Sequence, residues 1–162
     1  MRSDTNRPDT VATQAPDQHE SVRLGSLEHY LAFHLRMAQC ASFKAFKRRS
    51  GDCSLKPGWF ALLSLIGDNP GITPMALSRA SGRDKSTLTP VLRELAANCM
   101  IERQELKGDK RSYTLSLTAK GKCELAVLAT HAIQHDREIE EIAGSDKDVL
   151  LDLLRRITAQ FD

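Results

Sequence analysis

Between Lys85 and Arg93 the chain reads KSTLTPVLR, where Ser86, Thr87 and Thr89 place short hydroxyls between two cations, with Pro90 beside them. Hydroxyls donate and accept at base edges and touch thymine methyl groups, while Lys85 and Arg93 suit phosphates or guanine. A second cationic cluster follows at Lys107, Gly108, Asp109, Lys110 and Arg111. There the planar fork of Arg111 matches a narrow minor groove. Together these residue types describe a surface for a phosphate backbone and base edges. A plainer reading stays open for each: Ser86 and Thr87 can simply extend a helix N-cap, and a charged hairpin tip can be only solvated.

The elements that must position these groups are legible around them. Thr73 followed by Pro74 is an N-cap and first-turn proline, opening a short helix to about Ala80. Ser81 and Gly82 break it. Asp84 then caps a second helix, in which Leu88, Val91, Leu92 and Leu95 recur at helical spacing. Two helices joined by a short glycine-containing turn form a helix-turn-helix. Ile101 to Leu106 and Tyr113 to Leu117 read as two strands, the second alternating Tyr113, Leu115 and Leu117 against Ser112, Thr114 and Ser116. The loop between them is Lys107 to Arg111. The pattern is a winged helix-turn-helix, in a chain that is mainly α with a small β wing.

Gly108, Asp109, Lys110, Arg111 and then Leu117, Thr118, Ala119, Lys120, Gly121 resemble the wing and post-wing motif of the MarR family of bacterial transcriptional regulators. Lys85 to Thr89 is similar to that family's recognition helix, and Leu55 to Leu63 with Asn69, Pro70 and Gly71 to the preceding helix and turn. The resemblance runs from about Leu27 to the C-terminus and is strongest in the middle. It implies a homodimer that grips double-stranded DNA, with residues 56–118 as the DNA-binding region and 23–55 with 119–162 as dimerisation helices. It also implies that Asp109 holds Arg111 in the wing. A dimer would set two units roughly 34–36 Å apart on a near-palindromic operator, with repression by promoter occlusion as the default outcome. Two positions depart from the family pattern. Pro90 lies inside the recognition helix, where it deletes a hydrogen bond to Ser86 and predicts a kink or a tightened first turn. Asn98 and Cys99 stand where the family often has glycine, so one of them must take a left-handed backbone.

At 162 residues the length suits one domain with a real core. The net charge of +2 is uninformative, but its distribution is not. From Ile72 to Lys122 there are ten Lys and Arg against five Asp and Glu, and from Cys123 onward four against nine. The segment holding the wing is therefore the electropositive one. Residues 1–22, with Pro8, Pro16 and few apolar groups, read as a mobile arm. An apolar leader and a run long enough to cross a bilayer are both lacking, so a cytoplasmic protein without membrane contact is expected.

Ser26 reads as the cap of a long helix ending near Ser50, with Lys44, Lys47, Arg48 and Arg49 in its last turns, either as dipole-matched solvated cations or as an anion contact. Pro57 opens the next helix. Of Trp59 and Phe60, adjacent and so facing different ways, the core position is assigned to Phe60; Trp59 then packs against the first helix or walls a cavity. Thr118 caps a helix from Ala119 to about Ile142. Ser145 with Asp148 makes a capping-box-like start for a last helix whose Val149, Leu150, Leu153, Leu154, Ile157 and Phe161 want a partner.

A switch remains to be placed. By the resemblance, an effector would sit in a cavity among the first helix, the Trp59 helix and the long Ala119 helix, with His34, Arg36 and Trp59 as contacts, Arg36 pairing an acid group. Gly82 to Pro90 is similar to regulators of aromatic-acid catabolism, some of which respond to aromatic acyl-CoA thioesters. That gives Lys44, Lys47 and Arg48 a role on CoA phosphates. The alternative is oxidation of Cys53 or Cys99, although scattered cysteines (Cys40, Cys53, Cys99, Cys123) are more often small buried hydrophobes. His131 and His135 have ligand spacing but no third partner, so neither a metal nor a cofactor is expected. An enzyme is the reading from another class, and the chain shows no nucleophile, base and orienting group in sequence to support it. A winged helix that binds only protein is the other rival.

Overall fold

The computed structural model describes residues 22–49, 56–106 and 109–161, with backbone only at 57, 106 and 109–111. Expectations for the arm, Cys53, Lys107 and Gly108 therefore lie outside the described residues. The chain divides into two compact units, Met1–Arg36 and Met37–Asp162. In the first, Gly25–His29 is a 3-10 turn that precedes α1 (Leu31–Arg49). Ser26 sits inside that turn instead of capping a helix. Gly25 has φ +58, a left-handed value that sends the chain into the tight turn before α1 can begin. His34 Nε2 closes the segment onto the Glu28 carbonyl at 2.9 Å.

The second unit takes the rest of α1 and then α2 (Pro57–Asp68), α3 (Pro74–Ser81), α4 (Lys85–Ala97), β1 (Ile101–Leu106), β2 (Asp109–Leu117), α5 (Ala119–Ala143) and α6 (Lys147–Phe161). Pro57 stands in the first turn of α2, and Thr73 Oγ1 caps α3 by accepting from the Ala76 N–H at 3.2 Å. Gly82 ends α3 at φ +61. Asp84 holds the N-cap position of α4 but through its backbone alone: its carbonyl accepts from Thr87 and Leu88, and its carboxylate makes no capping bond among the described residues. Ser145 likewise lies within a 3-10 turn, Gly144–Asp146, and does not cap α6.

Trp59, Leu62, Leu63 and Ile66 of α2, at i, i+3, i+4 and i+7, form its buried stripe. Trp59 is 3% exposed and Phe60 only half-buried, so the assignment of the core position to Phe60 is corrected. Phe60 is rotated about 100° off that stripe, as consecutive residues of an α-helix must be. Leu77 of α3, Leu88, Leu92 and Leu95 of α4, Leu115 of β2 and Leu128 of α5 complete a continuous core with Phe46 of α1. Burying each aliphatic side chain contributes about 1.5–3 kcal/mol, well above the ~0–1 kcal/mol of an exposed ion pair such as Arg156 with Asp152. The core, not the surface charges, holds the unit together.

The strands pair antiparallel with Ile101 opposite Leu117 and Glu105 opposite Tyr113, and the register shifts before Leu106 meets Asp109. The second strand thus begins at Asp109, four residues earlier than its alternation suggests, and the turn is shorter than the expected Lys107 to Arg111 loop. On the other edge Leu115 exchanges backbone hydrogen bonds with Gly71 and Ile72, both 2.9 Å, tying the wing to the segment before α3.

The junction of wing and α5 is tighter still. Thr118 Oγ1 accepts from Gly121 N at 3.0 Å as the α5 cap and donates to the Cys99 carbonyl at 2.6 Å, while Thr118 N–H donates to Met100 O at 3.1 Å. A Cβ on Gly121 would fall 1.9 Å from the Met100 carbonyl oxygen. To make this turn Cys99, not Asn98, takes φ +57. Pro90 sits inside α4 without ending it, in the exposed second turn.

Three of the four cysteines are described, and all three (Cys40, Cys99, Cys123) are exposed, contrary to the expectation of buried thiols; they lie on helix faces and a turn that the core does not reach. His135 is buried and bonded through Nε2 to Ser42 Oγ at 2.8 Å, with its ring edge-on to Phe46, while His131, one turn earlier, is partly exposed. At the α5–α6 turn Lys147 pairs with Glu140, whose hydrogen bond raises the ammonium above its ordinary range.

Two substitutions test the junction. Gly121→Ala forces backbone apart and should lower unfolding free energy by at least ~1–3 kcal/mol in urea titration. Cys99→Gly removes a left-handed penalty of about 1–2 kcal/mol, partly cancelled by glycine's unfolded-state entropy, and should raise stability by several tenths to ~1 kcal/mol. An unchanged midpoint for either would mean that this turn is less constrained than its geometry states.

Candidate nucleic-acid interface

The recognition surface follows from the two-sidedness of α4. Leu88, Leu92 and Leu95 are at most 1% exposed, while Ser86, Pro90 and Arg93, at i, i+4 and i+7 on the opposite side, are exposed, together with Lys85 and Thr87. Thr89 is half-buried at the edge. Burial of one stripe thus dictates which side chains remain for a ligand. Two of the hydroxyls are engaged locally: Thr87 Oγ1 donates to Asp84 O and Thr89 Oγ1 to Lys85 O, both 2.8 Å. Their oxygens keep acceptor lone pairs, so at base edges they can receive a hydrogen bond while donating to the helix. Ser86 has the freer geometry of a first-turn exposed residue.

The hairpin beyond α4 supplies the second arm. Its base is fixed by Leu115 in the core and by the Arg103 guanidinium 5.0 Å over the Tyr113 ring. Asp109, Lys110 and Arg111 lie on the β2 backbone next to the turn; the expected Asp109 to Arg111 pairing concerns side chains outside the described ones, as Lys107 does altogether. Between α3, α4 and β2 opens a cleft of about 430 Å³, lined by Met75, Ser78, Lys85, Thr89, Ser112 and Tyr113 among others. Trp59 is not among its lining residues.

The other site residues read from the sequence fall elsewhere. His34 and Arg36 belong to the first unit and are exposed, His34 bonded as described. In the second unit Lys44, Lys47 and Arg48 are exposed on α1, while Arg49 pairs with Glu138 of α5. Trp59 is buried with Lys56 Nζ 5.7 Å over its ring. No group of three or more potential metal ligands occurs among the described residues, and no described helix is long and apolar enough to cross a membrane. Sequence reading missed Arg83, whose Nη2 donates to the Gly58 carbonyl at 3.2 Å, and Lys56, which pairs with Glu94 at 2.6 Å. The first had a signal in a glycine placed within an otherwise well-formed helix start.

Known proteins agree with this geometry. The MarR family model matches residues 55–113. A proposed transcriptional regulatory protein for the hcr operon of Thauera aromatica is 30% identical over 138 residues, covering 84% of this chain and 83% of its own. The transcriptional repressor CouR bound to a 23-mer DNA duplex superposes with a TM-score of 0.74 at 29% identity, covering 84% of this chain and 97% of that one. CouR bound to p-coumaroyl-CoA gives 0.76 at 27%, covering 86% and 99%. With its helix-turn-helix, wing and post-wing glycine in place, and a relative of this identity over most of both chains, the chain belongs to the MarR family of DNA-binding transcriptional regulators and is not an enzyme.

Proposed function

We propose that the chain is a ligand-responsive repressor that binds a near-palindromic operator as a homodimer in the cytoplasm and is released by a small aromatic acid or its CoA thioester. The observation that carries the DNA part is the exposed face of α4, with Lys85, Ser86, Thr87, Pro90 and Arg93 opposite three buried leucines and the wing beside it. In this reading Ser86, Thr87 and Thr89 meet base edges, Lys85 and Arg93 meet phosphate or guanine, and Lys107, Lys110 and Arg111, steadied by Asp109, follow the minor groove.

The dimer is supported by α6. Val149, Leu150, Leu153, Leu154 and Ile157 are each 38–60% exposed, an apolar face that a second copy would cover. Support for the effector is chemical: CouR, similar along most of its length, was solved with p-coumaroyl-CoA, and Lys44, Lys47 and Arg48 offer exposed cations for CoA phosphates. Arg36 and His34 are the proposed partners of the acid or acyl group. Trp59, the chain's one tryptophan, is the third proposed contact, and an aromatic effector should quench its fluorescence.

The test is binding to DNA from the chain's own upstream region, with and without aromatic acids and their CoA thioesters. Release by one of them establishes the effector class. Release by peroxide alone would move the switch to Cys53 or Cys99, and no binding to DNA would leave a winged helix that serves a protein partner. Two variants sharpen it. Arg93→Ala should weaken operator binding about 5- to 100-fold, the worth of one good base or phosphate contact, with little change in melting temperature. Replacing Lys44, Lys47 and Arg48 with alanine should abolish induction by the thioester and leave DNA affinity within about twofold, as expected of charges remote from the duplex.

A further inference from the structure

The turn between α3 and α4 is fixed at both ends of Arg83. Its N–H donates to Ser78 O at 3.1 Å, and its carbonyl accepts from Ser78 Oγ at 2.6 Å. Its side chain leaves the turn altogether, and Nη2 donates to the carbonyl of Gly58, the second residue of α2. The seat fits closely over residue 58: a Cβ there would stand 2.8 Å from Nη2, and the guanidinium would have to shift to make room. A second strut joins the same two helices. Lys56, at the N-cap of α2, reaches Glu94 near the far end of α4. One link precedes the first residue of α4 and the other lies at Glu94, about 14 Å further along its axis from Lys85, so the two links together set a direction and not just a contact.

We propose that Arg83 is a positioning residue for DNA specificity: by seating on Gly58 it fixes the angle at which α4 presents Ser86, Pro90 and Arg93 to base edges. An arginine in this segment would by composition be read as a phosphate contact. Here one guanidinium donor is committed to a backbone carbonyl of α2, and the residue is half-buried. Since Arg83 directly precedes Asp84, whose carbonyl receives the first N–H bonds of α4, any displacement of the guanidinium is felt where the helix begins. Lys56 and Glu94 are more exposed, and water screens their pairing, so the Arg83 seat is the firmer of the two.

This inference rests on the DNA-binding reading, and its test separates the two. Dissociation constants are measured over a salt series for a duplex from the upstream region and for a scrambled duplex, using wild type, Gly58→Ala, Arg83→Gln and Arg83→Lys. Gly58→Ala keeps every charge and favours the helix, so its melting temperature should hold or rise. Loss of the seat should lower the ratio of specific to scrambled affinity by about tenfold in Gly58→Ala and in Arg83→Gln, with the wild-type salt slope kept in Gly58→Ala. Arg83→Lys, which retains a donor, should recover most of the ratio. The inference is overturned if Gly58→Ala discriminates as well as wild type, or if Arg83→Gln weakens both duplexes alike and lowers the salt slope by about one, the mark of a lost phosphate contact. Failure of the wild type to bind either duplex overturns the DNA-binding reading, and this one with it.

Discussion

Everything that presents α4 and the wing to a partner depends on how closely the first turn of α5 approaches the Met100 carbonyl. Gly121 leaves room for that oxygen and for nothing else, Thr118 ties the same turn to Cys99 and Met100, and Cys99 accepts a left-handed backbone so that the chain can leave α4 and enter β1. A backbone-to-backbone approach cannot be recovered by rotating a side chain. The run Leu117 to Gly121 is therefore less a signature than a steric requirement: a capping hydroxyl three residues before the one residue type that fits.

From that junction the geometry propagates in both directions. Backward, the wing is anchored by Leu115, wholly buried and paired on both edges, to Arg103 of β1 on one side and to Gly71 and Ile72 on the other. Forward, α5 carries Gly121, Leu128 and His135 inward at seven-residue intervals, the last bonded to Ser42 of α1. The helix α4 and the wing are thus held by buried apolar contacts and backbone hydrogen bonds, with Lys85, Ser86, Pro90 and Arg93 left on the exposed face of α4. Most of the charge of α4 lies on its exposed face, where it can steer a polyanion and respond to salt.

Much of this was legible from residue order. Thr73 and Pro74, Gly82, the leucine stripe of α4 and the cap at Thr118 are local rules with local causes, and each element they predict is present. The errors share a different origin. Ser26 and Ser145 look like caps, but each was drawn into a 3-10 turn, because a hydroxyl near a helix start fits either geometry. Trp59 looks dispensable to the core beside Phe60 alone; set beside Leu62, Leu63 and Ile66 at i+3, i+4 and i+7, it belongs to their stripe. The early start of β2 follows a register shift that alternation cannot encode. Of the candidate site, the exposed face of α4 could be deduced by subtracting its buried leucines. Of the Arg83 seat only Gly58, a glycine in the first turn of a helix, was visible; its partner was not, since the contact joins residues 25 apart in sequence through a backbone carbonyl.

The central claim is that α4 and the β1–β2 hairpin form one DNA-contacting surface on a rigid base. Amide hydrogen exchange with and without duplex DNA from the upstream region tests it most directly. The account predicts new protection concentrated in Lys85 to Arg93 and along the hairpin, with the core amides of α2 and the α5 junction slow in both states. Protection confined to α6, or spread evenly over the chain, would contradict it.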